Sequence, residues 1–185
     1  MPQKKVNQKL KANLSRMLKI HFLYIFALVI QLIAFDAGNL IEPIVVFRRW
    51  ILLVSSLVVV TFLWFMSRKN NVSQAVLRRT VITLIVVDVS IASFYVYTQR
   101  GMASKAVFLY IMPLLVAACM QRKIALFSAS VLCVAAYLIA AIGYFKLNFN
   151  EGYKIELYGE AGFYSAMLLL IALALWILVR PRKNS

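Results

Sequence analysis

The chain has 185 residues, 63% of them apolar and 15% charged, with a formal net charge of +15 and a mean hydropathy of +0.83. Six membrane-spanning helices of roughly 20 residues each would take about two thirds of that length. This composition excludes a disordered chain, and a soluble domain would not leave so few polar residues for its surface.

A charge near the bilayer centre costs roughly 2.5–3.5 kcal/mol even on the lenient insertion scale, so charge-poor windows locate the spans. Over residues 1–19, Lys4, Lys5, Lys9, Lys11 and Arg16 alternate with Val6, Leu10, Leu14, Met17 and Leu18. That spacing predicts a basic amphipathic helix lying on the inner leaflet. Signal-peptide cleavage after Ala37 would put Phe35 where a small residue is needed, so the first helix is expected to stay attached. Spans are predicted at 20–35, 50–67, 80–99, 106–121, 124–145 and 161–179, and Asp88 is the one formal charge inside them. No basic residue is therefore expected within a span. The first and fourth windows are short, but Lys19 and Lys105 at their edges can snorkel and extend the apolar length. Pro113 falls in the middle of the fourth and predicts a kink. The fifth carries small residues at Ala125, Ala129, Cys133, Ala136, Ala140 and Gly143, a stripe that admits a second backbone closely and predicts a central helix. The sequence leaves open whether that second helix comes from the same chain or from another copy. Residues 20–180 then form one six-helix transmembrane domain, and 181–185 a short tail.

Lys and Arg set the orientation. With the N-terminus in the cytoplasm, the inner segments hold Lys4, Lys5, Lys9, Lys11, Arg16, Lys19, Arg68, Lys69, Arg78, Arg79, Arg122, Lys123, Arg180, Arg182 and Lys183. The outer loops hold Arg48, Arg49, Arg100, Lys105, Lys146 and Lys154, offset by Asp36, Glu42, Glu151, Glu156 and Glu160. An all-α, polytopic bundle with both termini inside is the expectation, placed in a cytoplasmic membrane. The positive charge then serves topology and the anionic headgroups of the inner leaflet rather than nucleic acid.

Chemistry is narrowed by elimination. With His21 the sole histidine, a bis-histidine haem, a multi-histidine zinc site and a histidine triad have no ligands or base within one chain. His21 is read as an interfacial polar residue at the inner end of the first span. Cys119 and Cys133 do not form a C-x-x-C pair and are expected to be packing thiols. No lysine lies inside a window to carry a Schiff base, and no phosphate-cradling loop, G-x-S-x-G or H-E-x-x-H is present. No enzyme activity, metal or cofactor is expected.

Asp88 is the informative polar group, because a carboxylate near mid-bilayer is costly to ionise without a partner. Its helical face carries Leu84, Ile85, Ala92 and Tyr95. Tyr110, Gln31, Ser128, Ser130 and Tyr137 are further candidates to bond it. Asp88, Tyr95 and Tyr110 form the candidate sensing set. Asp88 is either a proton- or ligand-responsive group or a hydrogen-bonded staple between helices.

The run from Arg79 to Met120 carries Asp88, Phe94-Tyr95-Val96-Tyr97, the turn Gln99-Arg100-Gly101-Met102-Ala103-Ser104, Phe108 to Leu115 with Pro113, and Ala117-Ala118. It resembles the membrane-embedded input region of bacterial sensor histidine kinases, and Arg49-Trp50 resembles an R-W helix start found there. The turn departs from the family's Gly-Gly and Asn/Ser-Pro pattern, and six residues after the last window leave no phosphoacceptor helix or ATP-binding domain. The resemblance implies a sensor or regulatory module acting through a separate signalling protein. The alternatives are a small-solute-binding subunit of a multi-part transporter, against which the scarcity of polar groups and broken helices in the spans counts, and a structural or assembly protein.

Overall fold

The computed structural model describes residues 3–69, 72–99, 101, 104–148 and 155–179, and every regular element among them is helical. In chain order these are α1 (Gln3–Ala37), α2 (Pro43–Arg68), α3 (Gln74–Thr98), a 3₁₀ segment (Lys105–Tyr110) running into α4 (Ile111–Ala118), α5 (Lys123–Leu147) and α6 (Ile155–Val179). Five stretches are long and apolar enough to cross a membrane: Leu10–Ala37, α2, α3, α5 and Tyr158–Leu178. This is a multi-pass membrane protein. The tail 181–185, Arg100, Met102, Ala103, Glu151, Lys154 and Arg180 lie outside the described residues, as do the side chains of Lys4, Lys5, Val6, Lys9 and Glu156.

The chain divides into two compact units, 1–81 and 82–185, with the division falling inside α3. In the first unit α1 and α2 form an antiparallel hairpin. Its turn is a Schellman motif: Asn39 takes the left-handed φ of 49°, Asn39 N–H reaches the Asp36 carbonyl, and Leu40 N–H reaches the Phe35 carbonyl at 2.9 Å. Glu42 then takes the N-cap position of α2 without a side-chain cap bond, and Pro43 opens the helix, where a missing N–H costs nothing. At the far end Lys11 Nζ donates to the Lys69 carbonyl at 2.8 Å, and Phe22 meets Trp64 edge-on.

Residues 3–19 and the first span are one unbroken helix, in which Leu10, Leu14, Met17 and Leu18 are buried. His21 is buried as well, with Nδ1 2.8 Å from the Met17 carbonyl.

The α2 helix separates its faces cleanly. Val46, Arg49, Leu53, Ser56, Val60, Leu63 and Ser67 are buried, alternating three- and four-residue steps as in a left-handed helix pair. Phe47, Ile51, Val54, Val58, Phe62 and Phe65 face outward. Lipid is as apolar as leucine, so this division does not come from the hydrophobic effect; it comes from packing and polar contacts. Ser56 and Ser67 return their hydroxyls to the Leu52 and Trp64 carbonyls of their own helix, which leaves two small, satisfied positions on the packed face.

In the second unit, which begins at Ile82 within α3, α4, α5 and α6 pack together. The small-residue stripe of α5 is half right. Ala129, Cys133 and Ala140 are buried, but Ala125, Ala136 and Gly143 are only partly so, and the buried face is completed by Leu126, Ser130, Tyr137, Ala141 and Phe145. More than half of the α3 span is buried, the largest share among the five membrane-length helices, against well under half of α5. Pro113 does not kink a long helix. The segment is 3₁₀ as far as Tyr110 and becomes α-helical at Ile111, which places Pro113 in the first α turn, where a proline needs no N–H partner.

Gly101 seats the α3–α4 turn on α5. Its φ is +58°, and a Cβ there would stand 3.0 Å from both the Ala141 carbonyl oxygen and Tyr144 Cβ. Gly101→Ala should lower stability by about 1–3 kcal/mol, since strain and overlap with backbone act together. Thermal unfolding in mild detergent checks this, and an unchanged midpoint would show that the turn does not press on α5.

Candidate functional site

Among the described residues no cluster of three or more His, Cys, Asp and Glu side chains could hold a metal ion, and Cys119 and Cys133 are free thiols. What distinguishes the second unit is a set of polar groups closed inside it. Most hydroxyls in the helices satisfy themselves locally: Thr98 donates to the Phe94 carbonyl, Ser90 to Val86, Ser130 to Phe127 and Ser165 to Ala161. Such bonds cost the helix little and carry no information between helices. Ser93 differs. Its hydroxyl pairs with the Tyr110 hydroxyl at 2.8 Å, a bond between α3 and the start of α4.

Tyr110 is fully buried, and it is the hub of the set. Its ring stands edge-on to Tyr137 of α5 with centroids 6.2 Å apart, and Tyr137 stands edge-on to Tyr164 of α6 at the same separation. Phe108 closes the circuit against Tyr164. The Cys133 thiol points at the Tyr110 carbonyl from 3.9 Å. This carbonyl lies where 3₁₀ backbone gives way to α-helix, a junction at which regular bonding changes register. Asp88, in the same unit, is 0% exposed.

The three sequence candidates, Asp88, Tyr95 and Tyr110, are thus all buried in the span region. Tyr110 spends its hydroxyl on Ser93. Of the other candidates to bond Asp88, Ser128 is exposed and Gln31 only half-buried, whereas Tyr137 is buried and belongs to the cluster, its hydroxyl without a hydrogen-bond partner among the described residues.

Ser93 and Tyr164 escaped the sequence reading. Position 93 is about 140° around the helix from 88, so a wheel centred on Asp88 does not include it. Arg49, expected in an outer loop at the start of the second helix, is enclosed by protein. It sits in α2, whose helix starts at Pro43 rather than at Trp50, and its side chain is 0% exposed. The signal was available in the three-four alternation of 46, 49, 53, 56, 60, 63 and 67. No protein-family model, curated protein or solved structure matches the chain.

Proposed function

We propose that the chain is a signalling module of a bacterial cytoplasmic membrane, similar in role to the input region of a sensor histidine kinase, and that the Asp88–Cys133–Tyr110–Ser93 cluster is its responsive core. The observation that carries this reading is the Ser93–Tyr110 bond, five residues along α3 from a fully buried aspartate. It ties α3 to a junction of two helix types, so a movement of α3 that followed protonation or ligation at Asp88 would be passed to α4 through Ser93. The α4 helix ends at the Met120-Gln121 turn, next to Arg122 and Lys123, and a separate signalling protein would read that turn from the cytoplasm.

Under this reading the apolar segment Lys105–Ala118 is a sixth crossing. Six residues of 3₁₀ helix and eight of α-helix, at about 2.0 and 1.5 Å per residue, span about 24 Å. Ala106, Val107, Tyr110, Leu114, Val116 and Ala117 are buried in protein, and short or irregular backbone is tolerated at membrane depth where protein encloses it. Both termini then lie in the cytoplasm.

Single cysteines at Ser73, Gln121 and Asn148, in a background lacking Cys119 and Cys133, test the crossing. An impermeant thiol reagent added to intact cells should label only Asn148. Labelled Gln121 with protected Asn148 would make α4 a re-entrant segment and reverse α5 and α6. The functional reading is tested by a photo-crosslinking residue at Gln121. It should capture a two-component signalling protein, with a yield that changes severalfold in Asp88→Asn, whereas capture of an ATP-hydrolysing subunit would establish transport instead.

A further inference from the structure

A groove of about 560 Å³ runs between α5 and α6. We propose that it seats an acyl chain of an anionic phospholipid from the surrounding bilayer, with Lys123 and Trp176 at its mouth receiving the headgroup phosphate. This assignment is independent of the signalling reading, because none of the groove's residues belongs to the buried cluster.

The depth of the groove fits such an occupant. Lys123 is the first residue of α5 and Trp176 lies in the last turn of α6, so both stand at the same membrane–water boundary whichever way the bundle is oriented. From there the walls follow α5 to Ser130 and α6 back to Leu169, about 10 Å toward the bilayer centre on each helix. The lining is apolar and contains no acidic side chain. Ser130, at its inner end, has turned its hydroxyl to the Phe127 carbonyl. A polar solute would find nothing to bond along these walls, and a hydrocarbon chain needs nothing. Ala172 opens the space between Leu169 and Trp176. Ile124 and Phe127, 80% and 69% exposed, form a rim toward lipid. Bulky rims of this kind do not let a second helix approach closely, since close contact in membranes relies on small residues.

The mouth is complementary to an anion. Lys123 Nζ lies 4.7 Å from the Trp176 ring centroid, which holds the ammonium over the groove while leaving N–H donors for phosphate oxygens. Exposed Arg122 precedes it, and the positive end of the α5 dipole points the same way. A Lys–Trp pair at headgroup level is also where both side chains are best accommodated.

Trp176 reports occupancy directly. In a Trp50→Phe/Trp64→Phe background it is the remaining tryptophan, and the protein can be placed in phosphatidylcholine nanodiscs containing either brominated phosphatidylglycerol or brominated phosphatidylcholine. Half-quenching is expected at about fivefold less of the anionic lipid, the equivalent of about 1 kcal/mol for one basic residue at an anionic surface. Lys123→Gln should abolish the preference, and Lys123→Glu should reverse it. Equal quenching by the two lipids, or a preference that survives Lys123→Gln, would reduce the groove to ordinary lipid contact and overturn the proposal. Quenching by neither would mean that protein, such as a second copy of the chain, fills it. If the double Phe background does not fold, native mass spectrometry of the unaltered chain and Lys123→Gln decides the matter, since retained phosphatidylglycerol must fall in the variant.

Discussion

Arg49→Ala is expected to destabilise the protein by about 1–3 kcal/mol, the scale for removing a buried group that donates charged hydrogen bonds. Arg49 lies six residues into α2, about 9 Å from the helix start, and its side chain is fully enclosed. A guanidinium is held in such a place by several donors in a fixed fork, so Lys should rescue only part of the loss. Its neighbour supplies a matched control. Arg48 carries the same charge in the same turn but is exposed, and a surface position of this sort should tolerate Ala within about 0.5 kcal/mol. Denaturant unfolding in mixed micelles compares the pair. Equal, small effects at 48 and 49 would mean that Arg49 reaches water or headgroups after all.

That asymmetry also shows what the sequence could and could not reveal. Hydropathy found all five long spans, because about 20 consecutive apolar residues have few other uses. It placed their ends poorly. A window that stops at every charge assumes that every charge faces water, and α2 violates this at Arg49. Its true start was written in different chemistry, with Asn39 able to adopt a left-handed turn and Pro43 suited to a first helical position. At α1 the basic residues suggested a surface helix, yet Leu10, Leu14 and Leu18 share a face that the protein buries. An amphipathic stripe says that one face avoids water; it does not say whether lipid or protein covers it.

The site was legible to the level of single helices and no further. Asp88 stood out because a lone carboxylate among apolar residues is conspicuous, and Tyr110 because it is polar within a short span. Their relation was hidden. Tyr110 turns its hydroxyl to Ser93 because the backbone before Ile111 is 3₁₀, and the three-residue turn of that helix rotates position 110 away from where an α-helical wheel would put it. Nothing in the composition of Lys105–Tyr110 separates the two helix types. Cys133 was read for its small size, whereas its thiol also approaches the carbonyl at the 3₁₀–α junction.

Asp88→Asn and Asp88→Leu should separate a structural from a responsive role. The carboxyl is fully buried in α3, so both substitutions act inside the protein rather than on a surface. Asn keeps the shape and the capacity to accept and donate hydrogen bonds while removing the titration, and stability should stay near wild type. Leu removes the polar contacts altogether and should cost roughly 0.6–2 kcal/mol, the range for interhelical hydrogen bonds within membranes. If Asp88 is the responsive group, Asn should leave the fold intact but abolish the stimulus-dependent change in crosslinking from Gln121. If it is a staple, Asn should leave both unchanged and only Leu should alter either. Ser93→Ala adds a third measurement, because it cuts the bond to Tyr110 without touching the carboxylate. A responsive cluster requires Ser93→Ala to uncouple the turn at Gln121 while Asp88 remains in place. A fully stable, fully coupled Asp88→Leu would dismiss both roles, since it would mean that the buried carboxylate contributes neither contacts nor signal.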